Sequence, residues 1–279
     1  MEKHAGDQGR IQSLIAGMKS PAEGSFGLQC PFPPIGWASA LRVRCKICGI
    51  TSLEDAISAV SCGADALGFM FVEASVRHIG LSDASAIASE LPPMISRVGV
   101  FVNAPRQTIL EAVQSCGLHA IQLHGEETPE DCQGYPVPVI KAFRVRDKAS
   151  VANISAYAGQ TWLVDSYQKG SRGGTGHRFE WDLLDEIRPF ARPLLLAGGL
   201  QPGNIREAVE KVRPYGVDVS SGVESEPGKK CPLKMKAFTR ELGLVGVLEA
   251  FWPPFREKNK SLLTPFSLLL VSCLLFLDF

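Results

Sequence analysis

Charge of one sign is what this chain most lacks. Its 279 residues carry 29 basic and 29 acidic side chains, a formal net charge of zero. There is no electrostatic footprint for nucleic acid and no pull toward an anionic membrane surface. A phosphorylated small molecule stays compatible with neutrality, because backbone amides bind phosphate without a basic surface. The sequence also opens without the pattern of a secretory signal. Its eight cysteines, Cys30, Cys45, Cys48, Cys62, Cys116, Cys132, Cys231 and Cys273, are scattered through candidate strands and helices. That usage reads as reduced thiols in a cytoplasmic protein, not as a disulfide scaffold.

What is present is a repeat. Short, nearly continuous apolar runs fall at Val43–Cys48, Ala66–Phe71, Arg97–Val102, Ala120–His124, Pro138–Phe143, Thr161–Asp165, Pro193–Ala197 and Gly216–Ser220. Such runs are expected of parallel strands covered on both faces. Helix-like stretches follow at Leu53–Cys62, Ser82–Leu91, Pro105–Cys116, Pro129–Gly134, Lys148–Ala158, Trp181–Phe190, Pro202–Val212 and Pro232–Leu242. Ser82 is a candidate cap, and Gly63, Gly117 and Gly216 sit where helices should stop. Eight βα units in about 200 residues predict an α/β protein, a single (β/α)8 TIM barrel, over 41–245. A doubly wound open sheet is the alternative.

Residues 1–40 are weakly patterned and read as a poorly structured extension. Their acids, Glu2, Asp7 and Glu23, fit poorly with a transit peptide. Residues 246–279 form a hydrophobic extension, and 261–277 carry no charge. That run sits at the short edge of the roughly 17–25 residues needed to span a bilayer. Membrane contact through 261–277 is one reading. The favoured ones are a peptide packed elsewhere or a tail foreign to the domain.

In a parallel barrel the active site is built from the C-terminal strand ends and the loops after them. Cys48, in Lys46-Ile-Cys-Gly-Ile-Thr51, stands at that address on the first strand. Cys45-x-x-Cys48 resembles a metal or redox spacing, but residues three apart on a strand point to opposite faces. Cys45 should face the helices with Ile47, and Cys48 the axis with Lys46. No metal site is expected. Lys46 and Asp218 should both face inward on adjoining strands, and a buried lysine needs a partner, so an ion pair is predicted. Leu196-Ala-Gly198-Gly199-Leu200 and Asp218-Val-Ser220-Ser221-Gly222-Val-Glu224 follow strands seven and eight, where this fold commonly grips phosphate. Asp165 ends strand six and can exchange a proton there. The following Gly170-Ser-Arg-Gly-Gly-Thr-Gly176 suits a lid, and its glycine spacing is not that of a dinucleotide fingerprint.

Taken together, Lys46–Thr51, Gly63-Ala-Asp-Ala-Leu-Gly-Phe69, Val98-Gly-Val-Phe-Val-Asn103, Ile121-Gln-Leu-His-Gly-Glu126, Leu163-Val-Asp-Ser166, Gly173-Gly-Thr-Gly176, Ala197–Leu200 and Asp218–Glu224 fall in family order. From Val43 to Leu244 the chain closely resembles phosphoribosylanthranilate isomerases. The resemblance implies a cofactor-free Amadori rearrangement of a small phosphorylated aminoaldose. By it Asp165 is the general acid and Cys48 the general base. Arg77 holds the anthranilate carboxylate. His124, Gly174, Gly198, Gly199, Ser220, Ser221 and Gly222 line the substrate site, with Lys46 and Asp218 in support. A monomer or homodimer is expected. As the base, Cys48 needs a lowered pKa, for which Lys46 is the candidate source. The chain departs from the family at Val72-Glu-Ala74, usually aromatic and proline, and at Cys231-Pro232, usually acidic. The competing readings are a related phosphate-binding barrel and a non-catalytic barrel. A synthase of that kind would need a lysine acid and paired glutamates at strand ends, which are not found.

Overall fold

The strands form where apolar runs alternate between two buried surfaces. In the computed structural model, which describes residues 42–145, 150, 154–157, 160–165 and 193–251, they are β1 (Arg44–Cys48), β2 (Ala66–Met70), β3 (Ser96–Phe101), β4 (Ala120–Leu123), β5 (Val139–Arg144), β6 (Thr161–Asp165), β7 (Leu194–Ala197) and β8 (Gly216–Val219). All pair in parallel in chain order and close into a barrel, β8 returning to β1 with Lys46 opposite Asp218. Closure rules out the open doubly wound sheet.

One strand face fills the barrel. Val98, Ile140, Ala142, Leu163, Leu195 and Ala197 form the inner cluster, joined by Ala66, Ala120 and Tyr215. The other face, with Cys45, Ile47, Leu67, Phe69, Phe101, Ile121, Leu123, Val164 and Val217, packs under the helices. Burying each large apolar side chain of this kind stabilises the fold by about 1.5–3 kcal/mol.

Helices α1 (Leu53–Ser61), α2 (Leu81–Glu90), α3 (Arg106–Cys116), α4 (Ile205–Val212) and α5 (Pro232–Phe251) cover that face among the described residues. On α1 the Ser52 hydroxyl accepts from the Asp55 N–H at 3.1 Å, a side-chain cap. On α4 the buried residues Ile205, Ala208, Val209 and Val212 recur at helical spacing. Three local expectations are corrected. Ser82 does not cap α2, which starts one residue earlier on Gly80. Gly216 stops no helix: α4 ends on Arg213 in the left-handed conformation, and Gly216 lies in β8. Pro129–Gly134 is a run of turns, pinned by the Thr128 and Asp131 side chains. Six residues are too few for a helix to repay its nucleation without a packed apolar face. The last helix runs past Leu242 to Phe251: Gly243 and Gly246 weaken a helix without ending it, and the first proline after Leu242 is Pro253.

Lys141 shows how the loop after β4 is held. Facing outward from β5, its ammonium donates to Glu127 at 2.8 Å and to the Gly125 carbonyl at 2.7 Å, and is 2 % exposed. Glu127 also accepts from the Asn103 and Gly125 amides. Burial acts to raise the Glu127 pKa, but Lys141 and the Asn103 N–H outweigh it, and the carboxyl titrates below its ordinary value. The pair's contribution is therefore complete above the unfolded glutamate value near 4.3 and is lost as pH falls through the lower folded value. Lys141→Met is expected to cost about 3–5 kcal/mol by urea unfolding near neutral pH. The gap from wild type should close on acidification; a gap that widened in acid would contradict the assignment.

The expectations for 1–40, Trp181–Phe190, Gly170–Gly176 with Gly174, most of Lys148–Ala158, and 261–277 fall outside the described residues. Within them, no helix is long and apolar enough to cross a membrane.

Candidate active site

The C-terminal strand ends enclose a cavity of about 380 Å³, its wall including Cys48, Arg77, His124, Asp165, Asp218 and Ser220. Gly198, Gly199 and Ser221 complete the side formed by the loops after β7 and β8. Every predicted contact residue in the described part reaches this wall except Gly222. Gly222 acts behind it: a Cβ there would run into the Leu200 carbonyl, so only glycine lets the two loops close together. Gly198 and Gly199 turn with φ 91° and 61°, in the left-handed region that glycine tolerates best.

Cys48 ends β1 facing the cavity, and the Ser220 hydroxyl donates to its carbonyl at 3.0 Å, joining the first and last strands at the mouth. Cys45 points the other way into the outer core, and its thiol is pushed up to about 12, chiefly by burial and then by Asp65. Both cysteines are free thiols. Among the described residues no group of three His, Cys, Asp or Glu is disposed to hold a metal ion.

The predicted ion pair is present. Lys46 Nζ donates to Asp218 at 2.9 Å, with the two side chains 4 % and 9 % exposed. Its effect on Cys48 differs from the expectation. Burial pushes the thiol up, Lys46 and Lys230 pull it back, and burial prevails, so the pKa is raised. A 4 % exposed thiol loses more hydration as thiolate than two partly neutralised ammoniums return.

Arg77 comes from the loop after β2. There the Arg77 amide donates to the Ser75 hydroxyl, and the Ser75 and His78 amides close successive turns, so backbone turns hold the segment that lacks the usual aromatic and proline. Its guanidinium lies in a fork with Glu224, Nε and Nη2 each donating at 2.7 Å. Glu224 also accepts from Lys230, whose side chain is fully buried, at 2.7 Å. Burial acts to raise the Glu224 pKa, and Arg77 with Lys230 overcomes it. A guanidinium has five N–H groups, so this fork leaves the Nη1 and Nη2 edge of Arg77 able to meet a second carboxylate. Glu224 and Lys230 are missed by sequence reasoning. They meet through a hairpin of β9 (Glu224–Glu226) and β10 (Lys229–Lys230) too short to leave a pattern. Gln122 was also missed, although its place two residues before His124 sets it on the same strand face.

His124 lies with Nε2 3.5 Å from Asp165 Oδ2 and Nδ1 3.0 Å from Gln122. A thiol, a carboxyl group and a half-open guanidinium thus converge on one cavity bordered by two turn-rich loops. Fold and cavity together define a (β/α)8 barrel enzyme with its site at the strand C-termini. The family model described as N-(5'phosphoribosyl)anthranilate (PRA) isomerase matches residues 45–241. The N-(5'-phosphoribosyl)anthranilate isomerase of Geobacter sulfurreducens is 50 % identical over 198 residues, 71 % of this chain and 97 % of that protein. The crystal structure of the Thermotoga maritima phosphoribosyl anthranilate isomerase is 45 % identical, with TM-score 0.68 over 72 % of this chain and 98 % of that one. A structure of such an isomerase in complex with reduced 1-(o-carboxyphenylamino)-1-deoxyribulose 5-phosphate is 44 % identical, with TM-score 0.66 over the same shares. The chain belongs to the phosphoribosylanthranilate isomerase family.

Proposed function

We propose that the chain converts N-(5-phosphoribosyl)anthranilate to 1-(o-carboxyphenylamino)-1-deoxyribulose 5-phosphate, the isomerase step of tryptophan biosynthesis, with Asp165 as general acid and Cys48 as general base. The observation that carries this reading is the convergence of Cys48, Asp165 and Arg77 on one cavity. Asp165 delivers its proton to the ribose ring oxygen. The C1–O bond breaks, and the anilino nitrogen pair forms C1=N. Cys48 then takes the proton from C2, and the C–H electrons form C1=C2 as the C1=N pair returns to nitrogen. The enolamine loses its O2 proton and gains one at C1, giving the aminoketose. Every step is a proton transfer within an isomerisation, so the reaction balances without a redox cofactor.

The Gly198–Gly199 turn and the Ser220–Ser221–Gly222 turn take the phosphate through backbone amides and hydroxyls, with Gly174 joining them from the loop after β6. His124 and Asp218 border the sugar, and Lys46 holds Asp218 in place. The catalytic unit is 41–245, flanked by the extensions 1–40 and 246–279, and acts as a cytoplasmic monomer or homodimer. A solved relative described as monomers generated from a dimeric isomerase supports both states.

The test is loss of phosphoribosylanthranilate fluorescence, with substrate generated in place from anthranilate and phosphoribosyl pyrophosphate. Rapid decay on adding the purified chain supports the assignment, and no decay with folded protein points to a binding-only barrel. The open edge of Arg77 suits the anthranilate carboxylate, which can take two parallel hydrogen bonds. Arg77→Ala should raise KM about ten- to a hundredfold with a smaller change in kcat. Arg77→Lys should recover little of it, because an ammonium has no fork. An unchanged KM in the alanine variant would remove Arg77 from carboxylate binding.

A further inference from the structure

The contacts beneath the cavity run in one direction. The Lys46 ammonium has donors and no acceptor. It donates to Gln122 Oε1 at 3.0 Å as well as to Asp218. The Gln122 amide is therefore oriented with oxygen toward Lys46 and nitrogen toward His124, and Nε2 lies 3.0 Å from His124 Nδ1. An amide nitrogen donates and does not accept, so Nδ1 is the bare nitrogen of the ring. The ring hydrogen sits on Nε2, the atom that faces Asp165 at 3.5 Å.

We propose that Gln122 is a positioning residue for the reaction: anchored by Lys46, its amide fixes His124 as the Nε2–H tautomer and aims that donor at the Asp165 carboxyl. The proposal rests on the reading of Asp165 as general acid. Gln122 is 1 % exposed, so no bulk water can replace either of its partners. Turning the amide over would set its NH2 against the Lys46 ammonium, leaving two donors face to face in a buried site. Gln122 and His124 stand two apart at the end of β4, which puts both on the inner face while Leu123 packs outward.

The arrangement acts on the transition state. A hydrogen bond to a neutral carboxyl group is weaker than one to a carboxylate. The His124 N–H is long in the free protein and gains strength as Asp165 gives up its proton to the ring oxygen. An interaction stronger in the transition state than in the ground state is the kind that raises kcat. The same Lys46 that orients Gln122 also stands against the Cys48 thiol, so one ammonium braces both ends of the proton traffic.

The test is 15N NMR of the full-length protein labelled at the histidine rings, with His124 assigned by its loss in His124→Asn. The wild type should show a pyrrole-type Nε2 and a pyridine-type Nδ1. In Gln122→Glu the carboxylate should draw a hydrogen onto Nδ1. A wild-type ring carrying its hydrogen on Nδ1 overturns the proposal, and this measurement needs no variant at position 122 to fold. The kinetic arm expects Gln122→Glu and Gln122→Met to lower kcat about ten- to a hundredfold with KM nearly constant. An unchanged kcat in both overturns the positioning role even where the tautomer is as assigned. The spectrum is read without turnover, so its outcome is separate from whether the wild type isomerises phosphoribosylanthranilate.

Discussion

Cys48→Ala is expected to lower kcat about 10²–10⁴-fold, the usual contribution of a general base, while the urea midpoint stays close to that of the wild type. The thiol borders the cavity, so removing one sulfur opens space beside a space already there, and Lys46, which loses the thiol as a partner, keeps Asp218 and Gln122. The rate loss follows from the proposed second step, in which Cys48 takes the C2–H proton. The pH dependence carries a further sign. Burial raises the Cys48 pKa despite Lys46 and Lys230, so the reactive thiolate is the minor form of the free protein near neutrality. On its ascending limb kcat/KM should therefore climb with pH as the thiolate is populated, until the thiol is titrated or the acid is lost. Wild-type turnover by Cys48→Ala, measured as decay of substrate fluorescence, would take Cys48 out of the mechanism.

The barrel was legible because its strands are covered on both faces. Each is a near-continuous apolar run bounded by turn residues, and each observed strand lies within a residue of its predicted limits. The Lys46–Asp218 pair was legible for a related reason: a closed barrel brings the first and last strands together, and period-two alternation sets both side chains inward. Cys48 and Asp165 were singled out by position, at strand ends, and both border the cavity. What stayed hidden depends on contacts between segments far apart in the chain. Glu224 sits in a segment read as a phosphate turn, yet its carboxylate reaches back to Arg77 and Lys230. The raised pKa of Cys48 was hidden because the pull of a nearby lysine can be read from spacing, whereas loss of hydration depends on everything packed around the sulfur. Pro129–Gly134 failed for want of length: a helical pattern over six residues does not decide between a helix and a set of turns.

Asp165→Asn is expected to lower kcat by a comparable 10²–10⁴-fold, with KM nearly unchanged, because asparagine keeps the shape and one acceptor oxygen but has no acidic proton. The two variants should nevertheless fail at different steps. Without Asp165 the ribose ring opens slowly and little Schiff base forms. Without Cys48 the ring opens and the C2 proton is then held. Substrate deuterated at C2 separates the cases. In Cys48→Ala proton abstraction limits the rate, and the primary isotope effect on kcat should approach its full value. In Asp165→Asn the slow step precedes C–H cleavage, and the effect should shrink toward unity. An isotope effect in Asp165→Asn as large as that in Cys48→Ala would mean that ring opening does not wait on this carboxyl. The acid would then have to be sought among the other groups on the cavity wall, with His124, 3.5 Å from Asp165, first in line.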